Sequence, residues 1–123
     1  MVDALLEAND AFYRAFEQAD LDAMSDLWLH EDHVACTHPG WATLHGWGAV
    51  SASWVALFSG GRPMQFILTQ VRPTVVGDVA WVALDENLIA GDDAHTVAAV
   101  NVFQRVGGRW RMVLHHGSGV ASA

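Results

Sequence analysis

Positive charge is scarce in this chain: six Lys and Arg stand against fourteen Asp and Glu, giving a net charge of -8, and the basic residues form no cluster. Nucleic acid and anionic membrane surfaces both require clustered Lys and Arg, so neither is an expected partner. The lone Cys36 excludes an internal disulfide and gives no zinc-ligand spacing; it reads as a small buried residue. No apolar run reaches the roughly 18 to 20 residues that span a bilayer, and the N-terminus lacks a basic-then-apolar leader pattern. A cytoplasmic location is expected. Repeats, low-complexity segments and linkers are also missing. What remains is 123 residues with 52% hydrophobic and 16% charged side chains, enough for one packed domain over 1–123 and too few for two.

Taken in order, Val2 to Ala19 carries Leu5, Leu6, Ala8, Phe12, Ala15, Phe16 and Ala19 at helical spacing. Asp20 is a good N-cap for a second helix over Leu21 to Leu29, with Leu21, Met24, Leu27 and Trp28 as its buried stripe. A short β run from His33 to Trp41 is stopped by Pro39-Gly40, and a brief strand over Ala42 to Leu44 follows. Gly46 opens a third helix, about Ala49 to Phe58, burying Val50, Trp54, Leu57 and Phe58, and Gly60-Gly61 ends it. From Met64 onward the pattern is strands. Helices first and an antiparallel meander afterwards give an α+β domain.

The register of that meander decides which side chains meet. Gly107-Gly108 between two β-rich runs is a strong two-residue hairpin signal, because both turn residues need positive φ. Phe103 is then expected opposite Met112, Asn101 opposite Leu114 and Ala99 opposite His116. A loop of Gly91-Asp92-Asp93-Ala94 puts Glu86 opposite Ala99, and a Gly77-Asp78 turn puts Thr69 opposite Glu86. Side chains alternate faces along a strand. Glu86, Asn101, Phe103 and His116 would therefore share one face with Thr69, while Val100, Val102, Val113 and His115 share the other. A β-bulge would break this register. Three helices cover only one face of such a sheet, so the apolar second face points to a homodimer.

The order helix, short helix, His33-Val-Ala-Cys-Thr-His-Pro-Gly-Trp41, and closing strands Val100-Asn-Val-Phe-Gln-Arg and Trp110-Arg-Met-Val-Leu-His-His-Gly-Ser118 resembles the SnoaL-like branch of the NTF2-like superfamily over nearly the whole chain. The resemblance implies a cone: three N-terminal helices packed on a strongly curved, mostly antiparallel sheet that encloses a pocket. Ketosteroid isomerases share this architecture, and their catalytic base matches His38, before Pro39. Their acidic hydrogen-bond donor falls at Asn101, and their oxyanion-binding tyrosine at Tyr13. With His for the base and Asn for the acid, steroid isomerisation itself does not carry over. Because the superfamily hosts isomerases, hydrolases, cyclases and binding modules, function has to come from the site.

Four residues are the catalytic candidates: His38, Glu86, Asn101 and His116. An imidazole with a reference pKa of about 6.5 exchanges protons near neutrality, although His38 could equally tie down the Pro39-Gly40 turn. A buried Glu86 needs a partner, either His116 or a ligand. Asn101 could donate to a developing oxyanion or tether a strand. Tyr13, Trp41, Trp54, Thr69 and Phe103 are ligand-binding candidates, the tryptophans being equally readable as core. His38, Glu86 and His116 have the right chemistry for a metal, yet no short ligand motif supports one, and no cofactor is expected. The leading expectation is a small-molecule pocket doing acid/base chemistry of isomerase, hydrolase or cyclase type on a compact apolar substrate. In it His38 is the base while Asn101 and Tyr13 stabilise the negative charge. A non-catalytic binding or assembly domain is the rival. His115-His116-Gly117-Ser118 also resembles the ending of iota-class carbonic anhydrases, which implies a third reading.

Overall fold

The computed structural model describes residues 2–61 and 63–121. Helix α1 spans Val2–Gln18, α2 Leu21–Leu27 and α3 Trp47–Ser59, while the strands are β1 Ala35–Thr37, β2 Leu44–His45, β3 Gln65–Val76, β4 Val79–Ala90, β5 Asp93–Val106 and β6 Arg109–Gly119. They form one open, mixed sheet in the order β2-β1-β6-β5-β4-β3. β1 runs parallel to β6 and every other pairing is antiparallel. This is the expected α+β architecture. Among the described residues no helix is long and apolar enough to cross a membrane.

Local chemistry accounts for the boundaries. Asp20 caps α2, its carboxylate accepting from the Ala23 amide at 3.0 Å, a contact typically worth about 1 kcal/mol. Gly107 and Gly108 turn at φ 57° and 79°, which side chains with a Cβ resist. The buried face of α1 sets Phe12 edge-on against Tyr13, Phe16 and Trp54, and this aromatic cluster, with Trp28 and Met112, fills the space between helices and sheet.

The sheet departs from the expected register in three places. The β4–β5 turn is Gly91-Asp92, not four residues, so Glu86 pairs with Val97 and Leu84 with Ala99. That slides the pairing by two residues and leaves every side chain on its expected face. A bulge in β6 has a different effect: Val102 pairs with Leu114 but Phe103 with Met112, so Val113 is an extra residue. From there on the faces exchange. His115 turns inward and is buried, whereas His116 lies exposed on the outer face, so the expected Glu86–His116 pair does not form. A third shift, in β3 between Thr69 and Arg72, sets Leu68 opposite Glu86 and Thr69 opposite Asp85. Thr69 consequently faces outward, accepting a 2.9 Å hydrogen bond from the Asn87 amide. In each bulge one added residue reverses the alternation.

Candidate functional site

Helix spacing and sheet alternation bring the polar groups together. Asn9 and Tyr13, four residues apart on α1, lie on one helix face above Glu86 of β4, Asn101 of β5 and His115 of β6. The Tyr13 hydroxyl donates to Glu86 Oε2 at 2.5 Å. Asn101 Nδ2 donates both to Asn9 Oδ1 at 2.9 Å and to the Tyr13 hydroxyl at 3.1 Å. The Asn101 amide oxygen accepts from His115 Nδ1 at 2.6 Å. The result is a continuous buried chain from His115 through Asn101 and Tyr13 to Glu86.

His38 follows β1 and approaches from the other side. Its Nε2 lies 2.9 Å from Ser53 Oγ on α3 and 3.6 Å from Cys36 Sγ. Trp41 and Trp54 pack edge-on against its ring. The two histidine rings are 6.3 Å apart between centroids.

His38, Glu86 and His115 all border a cavity of about 420 Å³. Phe16, Phe58 and Phe66 supply much of its apolar wall, and Trp41, 42% exposed, borders it as well. Glu17 lies beside it, held by the Phe66 amide at 2.8 Å. Among the described residues no cluster of His, Cys, Asp and Glu could hold a metal ion.

Burial sets the electrostatics. It pushes the Glu86 carboxyl up to about 7, against the downward pull of the Tyr13 hydrogen bond. It also lowers His38 to about 4, and lowers His115 to about 3 with help from the neighbouring His38 and His116. Both imidazoles are therefore neutral at pH 7, while Glu86 titrates near neutrality. Tyr13 is held far above the usual phenol range by burial and the Glu86 charge. The Cys36 thiol, pushed up to about 12 chiefly by burial, is not a nucleophile.

Residues 5–122 match the SnoaL-like domain family. The chain belongs to that family. A solved NTF2-like protein of Streptomyces avermitilis, provisionally named a dehydratase, is 36% identical and superimposes with a TM-score of 0.92, covering 98% of this chain and 96% of its own. A Thiobacillus denitrificans structure, provisionally named a calcium/calmodulin-dependent protein kinase type II association domain, is 39% identical with a TM-score of 0.86 over 93% of each chain. The Arabidopsis thaliana F-box protein SKIP8 is 33% identical over 115 residues, 94% of this chain. The chain spans about half the length of that relative, 49%.

Against the sequence expectations for this SnoaL-like domain, His38, Glu86 and Trp41 border the cavity. Asn101, Tyr13, Trp54 and Phe103 are buried and do not line it. Asn101 is fully enclosed and its amide hydrogens are directed at Asn9 and Tyr13, so it is not placed to donate to a ligand oxyanion. Tyr13 likewise donates to Glu86 and not into the cavity. His116 and Thr69 face away from the site altogether. Of the carbonic anhydrase-like ending, His115 borders the cavity while His116 and Ser118 lie exposed.

Asn9 and Ser53, which hydrogen-bond to the candidate site residues Asn101 and His38, were not singled out from the sequence, and His115, which borders the cavity, was expected on the outer face. Asn9 had a usable signal, a polar residue one turn before Tyr13 within an apolar stripe, and so did Ser53, between Val50 and Trp54 on the buried stripe of α3. For His115 the β6 bulge left no such mark.

Proposed function

We propose that this SnoaL-like domain is an enzyme that moves protons on a small, uncharged, largely apolar substrate, with Glu86 as the group that takes and returns the proton. The supporting observation is a carboxyl poised at about 7 in the same cavity as two neutral imidazoles. A catalytic group works best with its pKa near the working pH. That favours Glu86 over His38, whose basicity burial has reduced. His115 then serves as a hydrogen-bond acceptor that holds the substrate, while Tyr13 and Asn101 fix the carboxyl and the His115 ring from behind. Isomerisation and dehydration both suit the arrangement, since each removes a proton from carbon beside a carbonyl and delivers a proton to another atom. The provisional name of the Streptomyces relative agrees with the second. Deuterium uptake and water loss from small β-hydroxy ketones in D₂O, followed by NMR, test the reading. Conversion that rises with a midpoint near pH 7 and vanishes in Glu86→Gln supports it; conversion unaffected by that substitution refutes it.

The domain is further proposed to act as a homodimer through the outer face of the sheet. Trp81 and Val100 are 36% and 37% exposed there, beside Val79 and Val102, and in the absence of a covering helix these side chains would remain in water. The association-domain name of the Thiobacillus relative is in keeping with assembly through this fold. His115 and Val113 drop out of the face first expected, since one is turned inward and the other is the bulge residue packed on the core.

A further inference from the structure

Hydrogen positions around the cavity follow from the partners of each group. Ser53 has one hydroxyl hydrogen, and Oγ donates it to the Val50 carbonyl at 2.6 Å. Ser53 must therefore accept from His38 in their 2.9 Å contact, which puts the proton of neutral His38 on Nε2 and leaves a lone pair on Nδ1. At His115 the opposite tautomer is imposed. The Asn101 amide is oriented by its two donations to Asn9 and Tyr13, so the atom 2.6 Å from His115 Nδ1 is its oxygen. Nδ1 then carries the proton and Nε2 the lone pair. The Tyr13 hydrogen is committed to Glu86.

Every one of these donors is spent inside the protein. A ligand meets the lone pair of His115 Nε2, and above pH 7 an ionised Glu86, with the Glu17 carboxylate close by, whereas His38 Nδ1 has the Cys36 thiol 3.9 Å away. Among the described residues lining the cavity there is no Lys or Arg, and the half-exposed indole of Trp41 is the side-chain donor left over.

From this geometry we infer that the cavity selects an uncharged ligand that gives hydrogen bonds, such as an alcohol, and rejects carboxylates. Resting on the small-molecule reading above, this adds the polarity of the substrate to it. A ligand hydroxyl supplies the hydrogen that His115 Nε2 lacks. A carboxylate brings only lone pairs and a charge to a site already rich in both, and its desolvation goes uncompensated.

The test uses three probes of one shape at about pH 8, where Glu86 is ionised: naphthylmethanol, its methyl ether and naphthoate, titrated calorimetrically into the full chain. The alcohol is expected to bind about tenfold more tightly than the ether, with naphthoate weaker still. Equal affinity for alcohol and ether, or naphthoate binding as well as the alcohol, overturns the inference while leaving the cavity a ligand site. Failure of all three to bind overturns the small-molecule reading and this inference with it. Independently of any ligand, long-range proton–nitrogen NMR correlations should show His38 protonated on Nε2 and His115 on Nδ1. The opposite tautomer at either ring refutes the argument.

Discussion

Replacing Glu86 by Gln isolates the energetic cost of the buried carboxyl. In the folded chain this group sits 3% exposed and is raised from its usual 4.5 to about 7. Folded protein therefore binds more protons than unfolded protein between those two values. Stability is lost as pH rises through that window and the loss is complete above it. Since each tenfold change in proton affinity is about 1.4 kcal/mol, the full penalty is about 3 kcal/mol, and roughly 2 to 3 kcal/mol of it develops between about pH 5 and pH 8. The wild-type curve alone would hide this. His38 and His115, lowered from 6.5 to about 4 and about 3, act with the opposite sign: unfolding lets them take up protons, so they cost stability as pH falls below 6.5. The difference between variant and wild type removes their contribution. Glutamine keeps the shape and can still accept from the Tyr13 hydroxyl, so the fold should survive. Urea unfolding followed by tryptophan fluorescence should show the variant gaining about 2 to 3 kcal/mol on wild type between about pH 5 and pH 8. A difference that does not change with pH would refute the assignment of a buried, raised carboxyl.

Tyr13→Phe removes the donor that holds the Glu86 charge; the carboxyl midpoint, read by carbon NMR, should move further above 7, with a stability loss of about 1.5 to 3 kcal/mol near pH 8. Gly117→Ala would bring a Cβ within 3.0 Å of Val97 Cγ1 and 3.4 Å of Pro39 Cγ. Because both neighbours border the cavity, the expected cost is about 1 to 3 kcal/mol in urea unfolding together with weaker ligand binding. Val100→Glu on the outer face should shift the proposed dimer to monomer in light scattering without unfolding it; a wild-type chain that is already monomeric at micromolar concentration would rule out that interface.

Periodicity, caps and turns were legible in the chain itself, because each is a local matter. The α1 stripe, the Asp20 cap, the glycine stops of α3 and the Gly77 and Gly107-Gly108 turns all act within a few residues. The position of Glu86 on the inner face was equally legible, since an even loop of either two or four residues preserves strand parity. His38, which borders the cavity, was marked by the resemblance to ketosteroid isomerases, in which the base precedes a proline, and not by any local rule. Tertiary structure decided the rest. Whether His115 or His116 reaches the site depends on one extra residue, Val113, and the exchange of Thr69 for Leu68 opposite Glu86 depends on a similar irregularity in β3. A β-bulge is set by how a strand bends and twists against its neighbours, and local composition marked neither of these two. The roles of Asn101 and Tyr13 also followed from packing. Residue type marked each as a hydrogen-bonding group, but only the approach of α1 to β4 and β5 directed their hydrogens at Asn9 and Glu86 and away from the cavity.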